Sequence, residues 1–278
     1  MAVKSLAGRV ALISGAGRGI GRATALKLAA EGARVVINDR DAEPAREAVQ
    51  AVAELGGEAV ACVGDVTAAG FGERFVAAAV DNFGGLDIVV NNAGMAWNAF
   101  LPAMTDTMWS RVLDIHLSAA FRVLRAAQPV FAEQARNDRA AGHTTRRAVV
   151  NVGSIVGSGG NPSQANYAAA KSGLFGLTRT LAQEWGRYDV TVNSVAFGVI
   201  RTRMTSVADP AEPASGEGAT HVSPLAAQVL ADAVARSPLR RPGTPEEAAD
   251  SVWMLCAPES SYLTGQVLLC AGGLTSVE

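Results

Sequence analysis

Val10-Ala11-Leu12-Ile13-Ser14-Gly15-Ala16-Gly17-Arg18-Gly19-Ile20-Gly21 runs from four apolar residues into a glycine-rich turn, and an alanine-rich amphipathic segment follows as far as Glu31-Gly32. The short apolar run reads as a buried strand, the glycines as a tight turn and the longer segment as a helix. Outward from this unit the alternation repeats. It predicts strands over 10–13, 34–38, 59–63, 87–91, 148–152, 190–195 and 266–269, and helices over 20–31, 42–55, 68–83, 107–135, 165–185 and 245–257. Short β-branched runs separated by helices make a parallel sheet covered on both faces, a doubly wound α/β fold of about seven strands.

No linker or repeat divides the chain, so 1–278 is expected to be a single domain. Two segments interrupt the pattern. Residues 133–147 are polar with charges of both signs and read as a solvated loop. Residues 203–237 form a long insertion after a strand's carboxyl end, where a substrate lid is expected, and 208–220 within it are rich in Pro, Gly, Ala and Glu, the composition of a mobile stretch.

Composition removes whole classes of function. A net charge of −2 over 278 residues excludes a protein held to nucleic acid by phosphate attraction. No apolar run reaches the ~18 residues of a membrane span, and the first residues lack the apolar core of a signal peptide, so a cytoplasmic address is expected. Cys62, Cys256 and Cys270 are odd in number and far apart, and with only His116, His143 and His221 they show neither a disulfide framework nor metal-ligand spacing. No metal is expected.

The turn carries chemistry. Its glycines let backbone N–H groups approach a pyrophosphate, and the helix N-terminus adds a favourable dipole. Asp39 stands at the end of the second strand, 20 residues beyond Gly19, where a carboxylate accepts bonds from an adenosine ribose. A carboxylate there repels a 2′-phosphate and favours NAD(H). Arg18 and Arg40 pull the other way, since either could pair with that phosphate, and NADP stays open.

Of 24 basic residues only Lys4, Lys27 and Lys171 are lysines, and there are only three tyrosines, Tyr167, Tyr188 and Tyr262. Tyr167-Ala168-Ala169-Ala170-Lys171 puts one of each on a single helix face. An ammonium beside a phenol is expected to lower its pKa from ~10 toward the working range, which suits a general acid or base. Arginine would keep its charge there, but its planar fork does not replace a compact ammonium reaching a ribose hydroxyl and a phenol together. Ser154, ending the fifth strand thirteen residues before Tyr167, is placed to donate to a substrate oxygen. Asn91-Asn92-Ala93-Gly94 and Gly198-Val199-Ile200-Arg201-Thr202 close the fourth and sixth strands on the same rim, where open α/β sheets bind ligands.

With these residues the chain resembles the short-chain dehydrogenase/reductase superfamily, in the type that includes 3-oxoacyl-carrier-protein reductases, from about Leu6 to Leu274. Five motifs agree in order: the Gly15…Gly19-Ile20-Gly21 turn, Asp65-Val66, Asn91 to Gly94, Ser154 with Tyr167 and Lys171, and Gly198 to Thr202. The resemblance implies adenine contacts at Asp65 and Val66, a ribose border at Asn92-Ala93-Gly94, Lys171 on the nicotinamide ribose, and Ile200 and Thr202 flanking the carboxamide. It also implies a homotetramer or homodimer packed through the helices around 107–127 and 165–185. The implied reaction interconverts a ketone and a secondary alcohol, with Ser154 polarising the carbonyl oxygen and Tyr167 exchanging its proton.

Three positions depart from the family pattern. His116 stands where asparagine is usual and holds a water relaying protons to the lysine; histidine is expected to retain that role. Phe197 replaces a proline before Gly198, relaxing the turn and bringing an aromatic near the nicotinamide pocket or simply packing in the core. Cys270 precedes Ala271-Gly272-Gly273 where an acid is usual. A 3-oxoacyl thioester is the first substrate expectation; a sugar, steroid or xenobiotic alcohol fits the same site. A non-catalytic dinucleotide sensor is disfavoured because Ser154, Tyr167 and Lys171 are all present.

Overall fold

The computed structural model describes residues 4–205 and 224–275. Among these, β1 (Val10–Ile13), β2 (Arg34–Ile37), β3 (Ala59–Ala61), β4 (Ile88–Asn91), β5 (Arg147–Ser154), β6 (Val190–Phe197) and β7 (Val267–Cys270) form one sheet. Every pairing is parallel, in the order β3-β2-β1-β4-β5-β6-β7. This is the expected doubly wound sheet. Side chains alternate across it. Ala11, Ile13, Val35 and Val150 pack with Leu28, Val252 and Leu255 on one face, whereas Val10, Leu12, Val36 and Val149 pack with Phe71, Phe75, Phe131 and Trp185 on the other. Burial on both sides explains why the strands read as continuous apolar runs. The strand order reverses between β1 and β4, and the carboxyl ends of the strands at that switch point open a crevice.

The helices are α1 (Gly19–Ala30), α2 (Ala42–Glu54), α3 (Phe71–Phe83), α4 (Asp106–Leu113), α5 (Ala119–Ala140), α6 (Val156–Gly159), α7 (Ala165–Trp185), α8 (Pro224–Arg236) and α9 (Pro245–Cys256). Three expectations need correction. The helix predicted over 68–83 starts only at Phe71, because Gly70 adopts a left-handed conformation with φ of 73°. The single helix predicted over 107–135 is two helices joined by a π-helical turn at Asp114–Ser118, which widens the backbone just where His116 turns inward.

The third concerns 133–147, read as a solvated loop. Helix α5 continues through it to Ala140 and buries Ala135, and β5 begins at Arg147. Two of its four arginines, Arg146 and Arg147, face inward. Arg146 donates to the carbonyls of Leu255, Cys256 and Ala257 and to Ser260 Oγ, satisfying the orphan carbonyls that end α9. Arg147 is buried and paired with Asp138 at 2.9 Å. The partners of Arg146, and Asp87 at 3.7 Å from Arg147, lie far away in sequence, where composition does not register them.

Of the lid expected over 203–237, residues 206–223, and with them all of 208–220, lie outside the described residues. The flanking pieces are a 3-10 turn, Arg203–Thr205, and helix α8, which the apolar patterning did not assign. No helix among the described residues is long and apolar enough to cross a membrane.

Candidate active site

A cavity of about 620 Å³ lies along the carboxyl ends of β1, β2, β4, β5 and β6. Each candidate site residue lines it. Gly15, Arg18, Gly19, Ile20, Gly21 and Asp39 stand together, Asp65, Val66, Asn92, Ala93 and Gly94 come from the ends of β3 and β4, and His116, Ser154, Tyr167 and Lys171 lie beside Ile200 and Thr202.

The turn after β1 is braced from three sides. Asn92 Nδ2 donates to the carbonyls of Ser14 and Gly15, both at 2.9 Å, and Ser14 Oγ accepts from the Asn92 and Ala93 N–H groups at 3.0 Å. Asn38 Oδ1 accepts from the Gly15 N–H at 3.2 Å, while its Nδ2 donates to Cys62 and Gly64. Asn38 was not singled out from sequence. Its signal was a polar residue closing an apolar strand. Buried polar groups so fully paired hold a backbone rigidly, which a phosphate cradle needs.

Asp39 Oδ2 accepts from the Gly17 N–H and Oδ1 from the Asp41 N–H, both at 3.1 Å, so the carboxylate is fixed against the turn. Both arginines left open as phosphate partners lean on Asp41 instead: Arg18 at 3.2 Å and Arg40 at 3.7 Å. Asp65 accepts from the Thr67 N–H at 2.8 Å and from its hydroxyl at 2.7 Å, a side-chain turn that presents Asp65 and Val66 to the cavity.

At the other end the first turns of α7 bring Tyr167 and Lys171 to one face. The expectation that the ammonium lowers the phenol's pKa is not what the geometry gives. Lys171 is buried and its Nζ donates to the Val152 carbonyl at 2.6 Å, 5.5 Å from the phenol ring centre. Burial pushes the Tyr167 phenol up, against a hydrogen bond from Ser154 that pulls it down. Burial also brings the Lys171 ammonium down to about 7. Desolvation outweighs charge proximity for both groups, because neither has a counter-ion at this depth.

This has a sign that stability measurements read. Between about 7 and its unfolded value of 10.5, Lys171 binds more protons in the unfolded chain than in the folded one, so raising the pH stabilises the fold. The melting temperature of the ligand-free protein is expected to rise from pH 7 to pH 8, where unfolded thiols are still mostly protonated, and Lys171→Met is expected to remove that rise. A wild-type melting temperature flat over this interval would exclude the depressed ammonium.

His116, buried at the π-helical turn, sits edge-on to the Tyr167 ring with centroids 5.0 Å apart. Its Nε2 lies 2.7 Å from the Met95 carbonyl oxygen and 3.2 Å from the Met95 N–H, with the tautomer deciding which of the two it bonds, and its Nδ1 has no hydrogen-bond partner among the described residues. Burial first, and then the Lys171 charge, hold the imidazole well below its usual range. Gly94 makes room for the ring, since a Cβ there would meet His116 Cε1 at 2.2 Å. Phe197 both packs in the core and lines the cavity; rather than relaxing into a turn, β6 continues through it, pairing Phe197 with Ser154 and Cys270. Met95, Trp97, Arg111 and Arg203 also line the cavity and were missed, because they lie in loops or on helix faces without a motif. No group of three or more metal-ligating side chains occurs among the described residues.

A dinucleotide fits these residues. Three glycines, Gly15, Gly19 and Gly21, line the cavity at the N-terminus of α1 beside Arg18 and Ile20, a carboxylate marks one end, and a buried ammonium and two hydroxyls mark the other. Sheet and site together define a dinucleotide-binding α/β enzyme. A family model described as enoyl-(acyl carrier protein) reductase, of the short-chain alcohol dehydrogenase type, matches residues 15–275. Short-chain reductase protein NovJ of Streptomyces niveus is 40% identical over 264 residues, covering 95% of this chain and 93% of that protein. The 3-oxoacyl-[acyl-carrier-protein] reductase FabG of Thermotoga maritima is 37% identical over 269 residues, covering 97% and 98%. A mutant short-chain dehydrogenase/reductase from Serratia marcescens superposes with a TM-score of 0.81 at 29% identity, covering 98% and 100% of the two chains. The chain belongs to this family of short-chain dehydrogenase/reductases, and it is an NAD(P)-dependent oxidoreductase.

Proposed function

We propose that the protein reduces a ketone to a secondary alcohol, with a 3-oxoacyl thioester as substrate, NAD(H) as the preferred cofactor and Tyr167 as the proton donor. The observation that carries the reading is that Ser154 and Tyr167 line the same cavity as Lys171, which lies buried against the Val152 carbonyl. Two O–H donors at one point suit a carbonyl oxygen, which gains electron density as it is reduced. They do less for a carbon–carbon double bond, so the site favours the 3-oxoacyl reductase relatives over the enoyl description of the family model.

The nicotinamide ring, when bound, supplies the hydride and accepts it in the reverse direction. Everything else falls to side chains. Ser154 donates to the substrate oxygen, Tyr167 gives that oxygen its proton, and Lys171 holds a ribose hydroxyl and restores the proton to the phenol. Neutral His116 offers its unpaired Nδ1 to a water on that proton path. Gly15, Gly19, Ile20 and Gly21 hold the pyrophosphate, Asp65 and Val66 the adenine, Asn92 to Gly94 the adenosine ribose, and Ile200 with Thr202 the carboxamide. Arg18 borders the same end.

The fold acts as one domain, residues 203–237 serve as the substrate lid, and the cytoplasm is its compartment. Exposed Phe100, Leu101, Trp109 and Phe121, on or beside α4 and α5, support a homotetramer or homodimer assembled through those helices. Met95, Trp97 and Phe197 give the substrate end an apolar wall, which also accommodates a bulky alcohol of another kind.

Oxidation of NADH and NADPH, followed at 340 nm against β-keto thioesters and a panel of other ketones, tests the reading. The expected outcome is turnover of the thioester with NADH; inactivity on every compound with both cofactors would reject it. Asp39→Ala is expected to lower the preference for NAD over NADP by about tenfold or more, the worth of hydrogen bonds to a charged group together with relief of phosphate repulsion. An unchanged ratio would remove Asp39 from cofactor choice.

A further inference from the structure

A fully buried asparagine precedes the tyrosine. Asn166 Nδ2 donates to the Trp97 carbonyl at 3.0 Å and the Met108 carbonyl at 3.2 Å, and its Oδ1 accepts from the Tyr167 N–H at 2.8 Å. Two carbonyls require the amide nitrogen and one N–H requires the amide oxygen, so the orientation follows from the partners. Asparagine is a weak helix former, and here it answers one orphan N–H of the first turn of α7 while pinning two other elements to it.

Those elements face the reaction. Trp97 and Met95, on the strip that follows β4, line the same cavity as Tyr167. The strip is fastened at further points: Met95 through His116, Asn98 Oδ1 accepting from Gln164 Nε2 at 3.3 Å, and the Ala99 N–H donated to Ser163 at 2.9 Å. Of these only Asn166 joins the strip directly to the backbone of the proton donor. We infer that Asn166 is a positioning residue that fixes the gap between the Trp97 wall and the Tyr167 hydroxyl, and so sets how a carbonyl substrate is aligned, while leaving dinucleotide binding to the far side of the cavity.

The inference rests on the ketoreductase reading for its kinetic consequence, but its mechanical part stands apart. In the full-length protein, Asn166→Asp keeps the shape and the acceptor and loses both donors. It is expected to raise KM for the ketone and lower kcat, together by about tenfold or more, with the dissociation constant for NADH unchanged. Activity is expected to recover in part toward acid pH, where a protonated carboxyl donates again. Hydrogen exchange is expected to quicken over residues 95–99 and at Tyr167 but not over 15–21. Gln164→Ala, which removes the outer fastening to Asn98 together with a bond from Asn161 Nδ2 at 2.8 Å, gives a smaller loss in the same direction and serves if Asn166→Asp does not fold. Wild-type kcat and KM in Asn166→Asp, or a loss in which NADH affinity and exchange over 15–21 change in parallel, overturns the assignment. If the wild type reduces no ketone, the ketoreductase reading fails, and the local exchange result alone decides whether Asn166 fixes the strip.

Discussion

Tyr167→Phe is expected to lower turnover by about a thousandfold while leaving NADH affinity and melting temperature close to wild type. The change deletes a single oxygen. The ring and its edge-on contact with His116 at 5.0 Å stay, so α7 keeps its packing. The lost group is the phenol hydroxyl of a residue that lines the cavity together with Ser154 and Lys171. General acid catalysis is worth about 10²–10⁴ in rate, and with the phenol held protonated by burial the whole contribution belongs to the O–H form. Single-turnover measurement at 340 nm, with NADH titrated separately by fluorescence, separates chemistry from binding. Turnover within a few-fold of wild type would move the proton donor elsewhere, with Ser154 the next candidate.

Gly21→Ala should be the most damaging single methyl group in the cofactor site. A Cβ there would lie 2.2 Å from the Gly15 carbonyl oxygen, 2.5 Å from Asn92 Nδ2 and 2.9 Å from Ala16 Cα. None of these yields, because Gly15 is tied to Asn38 and Asn92, and Asn92 is tied back to Ser14. Overpacking of this kind costs about 1–3 kcal/mol, which lowers the melting temperature by roughly 2–4 °C per kcal/mol in a domain of this size. It also displaces the turn that faces the pyrophosphate, so NADH affinity is expected to fall by about 100-fold, the loss of two or more backbone hydrogen bonds to a charged group. Gly176→Ala, in helix α7 with nothing within 4 Å of its added Cβ, is the control and should leave affinity unchanged. Wild-type NADH affinity in Gly21→Ala would mean that the turn does not bind the pyrophosphate.

These two positions were legible for different reasons. Gly21 belongs to a local pattern of strand, turn and helix whose cause lies within a dozen residues. Tyr167 and Lys171 were found by a helical spacing and by their scarcity in an arginine-rich chain. By contrast, the π-helical turn that carries His116 inward left no periodic trace, since one extra residue per turn looks like ordinary helix over so short a span. The helix through residues 133–140 hid behind its charges, one of which, Arg139, pairs with Asp189 far along the chain.

Local pattern in the sequence alone determined the parallel sheet, the glycine turn, Asp39 at the end of β2, and the tyrosine and lysine on one helix face, because period and turn chemistry act between near neighbours. Only the tertiary structure decided how those groups are tuned. Burial, not the neighbouring ammonium, governs the Tyr167 phenol and brings Lys171 down to about 7. Arg18 and Arg40 are drawn to Asp41, and Asn166 binds the substrate wall to the proton donor across 69 residues of chain. Desolvation and long-range pairing depend on which distant segments exclude water from a site, and that is a property of the packed molecule.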